Sequence, residues 1–170
     1  GELNCRRAYN DWITWMVGFR AIQIDESLTA VFGAASHSVD TRNRLYGGQI
    51  GADVALFDGP CWRINAVGKV GIYGNASEQV TRTVGLGPAL PLITFTDSQT
   101  CFVGEFGVNA GYHLSDRWKL LAGYNLLWVN GLALAPEQLA TTDITTGAGA
   151  LATNGNLFYH GVNIGLEYGW

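Results

Sequence analysis

An all-β fold, an antiparallel up-and-down transmembrane β-barrel of eight strands, follows from three features of this 170-residue chain. The first is composition: 14% charged, 48% hydrophobic and 23 glycines. An average soluble domain is about 25% charged and about 7% glycine. The second is that no apolar run approaches the roughly 20 residues a spanning helix needs; Leu132-Ala133-Leu134-Ala135 is typical of the longest. The third is a period of two, with apolar side chains on one face and glycine or polar groups on the other. In lipid, a closed barrel is the one structure besides a helix that satisfies every backbone polar group. The length fits a single domain, 1–170. Such hydrophobicity excludes disorder, and a net charge of -4 argues against a nucleic-acid partner. Gly1 to Arg7 has no apolar stretch behind its basic residues, so no signal peptide is expected there.

Taken along the chain, strands are expected over 2–9, 12–24, 27–36, 44–57, 61–74, 100–114, 117–130 and 156–170. The first and third are the weaker patterns. In the second, Ile13, Trp15, Val17, Phe19 and Ala21 oppose Thr14, Gly18 and Arg20. In the fourth, Tyr46, Ile50, Ala52, Val54 and Leu56 oppose Gly47, Gln49, Gly51 and Asp53. In the fifth, Ile64, Ala66, Val70 and Ile72 oppose Arg63, Asn65, Lys69 and Gly71. In the sixth, Phe102, Phe106, Val108, Ala110, Tyr112 and Leu114 oppose Glu105, Gly107, Asn109, Gly111 and His113. In the seventh, Trp118, Leu120, Ala122, Tyr124, Leu126 and Trp128 oppose Lys119, Gly123 and Asn125. In the last, Val162, Ile164, Leu166, Tyr168 and Trp170 oppose Gly161, Asn163, Gly165, Glu167 and Gly169. A helix tolerates neither that alternation nor those glycines. Eight is the smallest membrane-barrel count, and the strong segments exceed the 9–11 residues a crossing strand needs.

The connections alternate in length. Asp25-Glu26, Asp58-Gly59-Pro60 and Ser115-Asp116 read as tight turns, and 37–43, 75–99 and 131–155 as long loops. The short link at Asn10-Asp11 is the exception on the long-loop side. An even count places both termini on the short-turn side, which is periplasmic in outer-membrane barrels. The inner face collects charges of both signs: Arg6, Arg20, Arg63, Lys69 and Lys119 against Glu2, Asp53, Glu105 and Glu167. The outer faces are almost uncharged, with Arg7 the exception. Trp12, Trp62, Trp118, Trp128, Tyr168 and Trp170 fall near strand ends, where interfacial aromatic girdles form.

Certain strings carry a family resemblance. They are Glu2-Leu3-Asn4, Gly18-Phe19-Arg20, Asp40-Thr41-Arg42-Asn43-Arg44-Leu45-Tyr46-Gly47, Gly68-Lys69-Val70-Gly71-Ile72-Tyr73-Gly74-Asn75, Leu132-Ala133-Leu134-Ala135-Pro136-Glu137-Gln138 and Phe158-Tyr159-His160-Gly161. With them the chain resembles the beta barrel porin-7 family, outer-membrane barrels of planctomycete bacteria. The resemblance implies a bacterial outer-membrane location. It carries no catalytic, ligand or cofactor residues, and the porin label does not establish a channel.

An eight-stranded barrel has an interior just wide enough for side chains to fill, or for one small ligand. Inward Arg6, Arg20, Asp53, Arg63, Lys69, Glu105, Lys119 and Glu167 are therefore expected to pair into a polar plug. A narrow selective pore through them is the competing reading. No enzyme is expected. His37 has Ser36, Ser38 and Asp40 near it in sequence, but such a group on a surface loop is usually just a loop. His113 faces inward near a turn, and His160 lies by the outer rim. No metal motif appears, and Gly85-Leu86-Gly87 lacks the strand-to-helix setting of a phosphate loop. Cys5 and Cys61 share one rim across the barrel from each other, and Cys101 belongs to the other rim. No intrachain disulfide is expected. Segments 84–95 and 131–155 are nearly uncharged. Either they fold over the barrel mouth or they bury against another subunit. Two functions follow: an outer-membrane barrel with a structural or narrow porin-like role, its partner being membrane lipid, or a self-assembling subunit of an extracellular or cell-surface polymer.

Overall fold

The computed structural model describes residues 1–85, 92–141 and 149–169. Among these, seven strands form one antiparallel sheet in chain order: β1 (Glu2–Ala8), β2 (Ile13–Phe32), β3 (Ala35–Asp58), β4 (Trp62–Val84), β5 (Ile93–His113), β6 (Trp118–Leu132) and β7 (Gly155–Tyr168). One short helix, α1 (Ala135–Thr141), lies between β6 and β7. The all-β antiparallel meander is as the alternation predicts. No β1–β7 pairing occurs among the described residues, so the sheet is not closed into a barrel.

The count is seven rather than eight because the segments expected over 12–24 and 27–36 are one strand. Asp25-Glu26 is not a turn: both residues sit within β2, paired with Arg42 and Thr41. An acidic pair is acceptable there because successive strand side chains point to opposite faces. Asp25 faces out and meets Arg42 at 2.9 Å. Glu26 faces in, where its Oε2 accepts the Ala135 N–H at 3.1 Å. The real turn is Gly33-Ala34, with Gly33 at φ 62°, a left-handed conformation that glycine adopts without strain. The expected loop 37–43 is consequently part of β3, and most of the expected loop 75–99 belongs to β4 and β5.

Three connections lie at one end of the sheet, the lower rim: 9–12, 59–61 and 114–117. The upper end carries 33–34, 85–92 and 133–154. The Asn10-Asp11 link therefore joins the other short turns instead of breaking their register. With an odd count, β1 begins toward the upper end while β7 finishes at the lower rim. That corrects the expectation of both termini on one side.

The sheet is strongly curled. Arg20 of β2 reaches Glu105 of β5 at 2.5 Å, and Glu2 of β1 reaches Lys69 of β4 at 2.9 Å. In a flat sheet, strands three apart lie about 14 Å from each other. The pairing is also staggered. Followed strand to strand, Ala8 leads through Thr14, Asp53, Val67, Gly107 and Asn125 to Gly161, seven residues before the end of β7 at Tyr168. Curl and stagger are compatible with a barrel wall, though the sheet is not closed among the described residues. Inside the curl, Leu45, Tyr73, Cys101, Val103, Val129 and Leu132 form the buried apolar core, with Ile22, Ile24, Leu127, Leu134 and Leu157 against it.

Candidate functional site

The inward charges divide into one central quartet and three outlying pairs. Glu2, Arg20, Lys69 and Glu105 come from β1, β2, β4 and β5. Arg20 meets Glu105 at 2.5 Å and Glu2 at 3.7 Å; Lys69 meets Glu2 at 2.9 Å and Glu105 at 3.2 Å. Two cations face two anions, so the group is neutral, the condition under which charges withdrawn from water are tolerated. Gln49 links the quartet to the core. Its Nε2 donates to Glu2 at 2.9 Å, and its Oε1 accepts the Tyr73 hydroxyl at 2.9 Å. The Tyr73 ring lies over Gly47 and Gly71, where an added Cβ would stand 2.7 Å and 2.6 Å from ring carbons. These two glycines let a large ring cross a narrow interior.

The outlying pairs sit nearer the lower rim. Arg6 meets Asp53 at 2.6 Å, with Asn65 donating to the same carboxylate at 2.8 Å. Lys119 meets Glu167 at 3.6 Å. Arg63 pairs with Asp58 at 2.9 Å, both exposed at the rim, so it stands outside the central plug expected of it. The hairpin turn 59–61 brings these two together.

Above the quartet the interior is closed by the chain itself. Residues 131–138 turn inward, and Leu132, Ala133, Ala135 and Gln138 are fully buried. Asn43 holds the segment as a strand neighbour would: its Nδ2 donates to the Ala133 carbonyl at 2.8 Å, and its Oδ1 accepts the Ala133 N–H at 2.9 Å. Asn75 donates to the Gly131 carbonyl at 3.1 Å, and Gln99 to the same oxygen at 2.7 Å. Gln138 closes a further ring with Ala152, donating at 2.7 Å and accepting at 2.9 Å. This part of 131–155 thus folds into the mouth. In segment 84–95, residues 86–91 lie outside the described residues, as do 142–148 of the longer loop and Trp170 of the expected girdle.

The outer wall changes character at one level. Below it, outward side chains are apolar or glycine, apart from His160 on β7 and Arg7 on β1. The stretches are Ile13–Ala21 on β2, Tyr46–Leu56 on β3, Trp62–Gly74 on β4, Phe102–Tyr112 on β5, Trp118–Trp128 on β6 and Phe158–Tyr168 on β7. Four of these stretches are eleven residues long. Directly above them the outward residues are Gln23 and Asp25, Arg44 and Arg42, Ala76 and Glu78, Thr100 and Ser98, Asn130 and Asn156. Aromatics mark both borders. Trp12, Trp62 against Tyr112 (4.6 Å between ring centres) and Trp118 against Tyr168 (4.8 Å) lie at the lower rim. Trp128 against Phe102 (6.0 Å) lies at the upper border, near the Tyr124–His160 hydrogen bond of 2.8 Å.

No nucleophile–base set is assembled around His37. It lies inside β3, buried, with Nδ1 2.8 Å from the Thr83 hydroxyl, while Ser36, Ser38 and Asp40 alternate onto the outer face. His113 is exposed near the lower rim. Cys5, Cys61 and Cys101 are free thiols, the first two exposed and the third buried. Among the described residues, no group of three or more His, Cys, Asp or Glu side chains is placed to hold a metal ion.

The residues that sequence reasoning missed are Asn43, Gln49, Tyr73, Asn75 and Gln138, the polar frame of the plug. The signal for Asn43 and Asn75 was present: inward positions 41, 43, 75, 77, 79, 81 and 83 are Thr, Asn, Asn, Ser, Gln, Thr and Thr, at strand period, inside segments read as loops, while Gln49 and Tyr73 lie in segments read as strands. No family model, curated protein or solved structure matches this chain.

Proposed function

We propose that this chain is the wall of a small outer-membrane β-barrel with a structural role and a closed lumen. One observation carries the reading: the apolar, aromatic-bordered outer belt, eleven residues long on β3, β5, β6 and β7. At about 3.3 Å per residue and a tilt near 45°, eleven residues rise about 25 Å, the height of the apolar band on membrane barrels. A water-facing sheet has no need of such a band and places its charges outward at all levels. The beta barrel porin-7 resemblance agrees with this location.

The reading requires β1 and β7 to be paired, because open edges are not tolerated in hydrocarbon. Both edges run toward the lower rim. An all-antiparallel closure therefore takes an odd number of further strands between them, and one such strand restores the count of eight. The alternative, a surface polymer, draws support from those same two edges, since unpaired strands template association. Its expected contact through 131–155 is weakened by the burial of Leu132, Ala133 and Ala135 within the chain itself.

The test is reconstitution. On the membrane reading, the purified chain enters liposomes, resists carbonate extraction, and leaves planar-bilayer conductance at baseline. Removal of 132–138 raises that conductance. Ordered polymers formed without lipid, from protein that stays in water, would overturn the reading.

A further inference from the structure

Two grooves on the outer wall flank the upper border of the belt, one on each side of Tyr46 and Gly74. The lower one, about 450 Å³, is lined by Val17, Ile50, Val70, Ile72 and Phe102. Gly48 is its floor, and a Cβ added there would find only one atom within 4 Å, the Gly18 carbonyl oxygen at 3.9 Å. The notch is thus open, unlike the crowded inward positions Gly47 and Gly71. The upper groove, about 410 Å³, is lined by Arg42, Arg44, Ala76, Ser77, Glu78, Thr96, Asp97 and Ser98. The two lie on the same strands. Gly48 pairs with Ile72 and Ile72 with Phe102, while Arg44 pairs with Ala76 and Ala76 with Ser98. Four residues of β3, about 13 Å, separate the glycine from the arginine.

The charges in the upper groove are not equivalent. Arg42 is held by Asp25 at 2.9 Å. Arg44, one outward position above Tyr46, has no carboxylate within 4.0 Å among the described residues. It lines the groove together with Thr96 and Ser98. Glu78 and Asp97 share the groove and bar a diffuse anionic surface, leaving a compact anion on Arg44 as the fitting ligand. Guanidinium forks bind phosphate oxygens through paired, charge-assisted hydrogen bonds.

We propose that the two grooves form one lipid site. An anionic glycerophospholipid places its phosphate on Arg44 and lays one acyl chain in the Gly48 notch. The proposal rests on the membrane reading above, and the chemistry is complementary at both ends: a cation with Asp25 near enough to feel its charge but no carboxylate within 4.0 Å among the described residues, and an apolar trough below it.

The experiment uses the chain in bilayer nanodiscs of phosphatidylcholine mixed with phosphatidylglycerol, with native mass spectrometry of lipid retained after mild detergent release. Phosphate-free diacylglycerol serves as the comparison lipid. The parent chain should retain phosphatidylglycerol over diacylglycerol. Arg44→Gln and Gly48→Leu should each cut retention by about tenfold, the scale of one charge-assisted contact. Arg82→Gln, an outward arginine outside both grooves, should leave it unchanged. Equal retention by Arg44→Gln, or equal retention of the two lipids, overturns the site. Carbonate extraction of every variant separates the two failures. A chain that inserts but holds no lipid loses only the site, whereas a chain that does not insert loses the membrane reading as well.

Discussion

The lower and upper halves of this one sheet are inside-out relative to each other. Below the level of Ala21, Tyr46, Gly74, Phe102, Trp128 and Phe158, the outer wall is apolar and the interior holds paired charges. Above it, the outer wall carries Asp25, Asp40, Arg42, Arg44, Glu78 and Arg82. The interior there is packed with Leu45, Val129, Leu132 and a hydrogen-bonded frame of Asn43, Asn75 and Gln138. The same strands pass through both halves without a break. Strand propensity cannot explain the inversion, because the period of two is continuous. The proposed membrane location accounts for it, with hydrocarbon around the lower belt and water around the upper extension.

The largest effect expected from this contrast comes from moving a charge between halves. Val162→Arg on the belt should cost about 2–4 kcal/mol of folding into liposomes, while Ser38→Arg on the upper wall should stay within about 0.5. Urea titration of refolding into vesicles measures both. Equal costs would remove the distinction between halves.

Next in size is the plug. Asn43→Ala leaves the Ala133 N–H and carbonyl without their partner in a fully buried place, at a cost of about 2–3 kcal/mol. Asn43→Asp should lose at least as much: it keeps an acceptor for the N–H but buries a carboxylate with one oxygen facing the Ala133 carbonyl. The same titration ranks the pair, and protease cleavage after Leu132 or Leu134 in the Ala variant reports release of the segment.

The quartet ranks third. Lys69→Ala leaves Glu2 and Glu105 sharing Arg20, in surroundings partly open to solvent, and should cost about 1–2 kcal/mol. Lys69→Ala with Glu105→Ala should cost less than the two single changes added together. Additive costs would show that the charges act separately.

How much of this was readable in the chain depended on which half was read. The belt was legible because its pattern is strict: every outward position from Trp118 to Trp128 is apolar. The inward charges were legible for the same reason, and the pairing of Arg20, Lys69 and Glu105 follows from their shared face. The upper extension was not. There both faces carry polar residues, as in Ser36 to Arg44, and a strand with water outside and a polar plug inside looks like a loop. Asp25-Glu26 carried a turn signal that long-range partners override: Arg42 for the first, the Ala135 N–H for the second. The inward turn of 131–138 could not be read locally at all, because Asn43, its clamp, lies ninety residues earlier.

The smallest expected effect is the pH response of the upper wall. The Asp25 carboxyl is held below its ordinary range, first by the Gln23 amide and then by Arg42. A carboxyl depressed in the folded state stabilises above its unfolded pKa, and that contribution disappears as pH falls through the lowered value. The pair is exposed, so salt screens it. Asp25→Asn should remove a shallow acid dependence seen at low salt, and it should lose the same small contribution at neutral pH and low salt.

The most direct test of the inversion is a depth profile along β3. Single cysteines at Ser38, Arg42, Tyr46, Ile50 and Val54 are spin-labelled in a Cys5→Ala, Cys61→Ala, Cys101→Ala background and reconstituted in liposomes. Collision with oxygen, which dissolves in lipid, should dominate at 50 and 54. Collision with a water-soluble nickel chelate should dominate at 38 and 42, with the crossover at 46. Uniform access of the nickel chelate at all five positions would contradict the account.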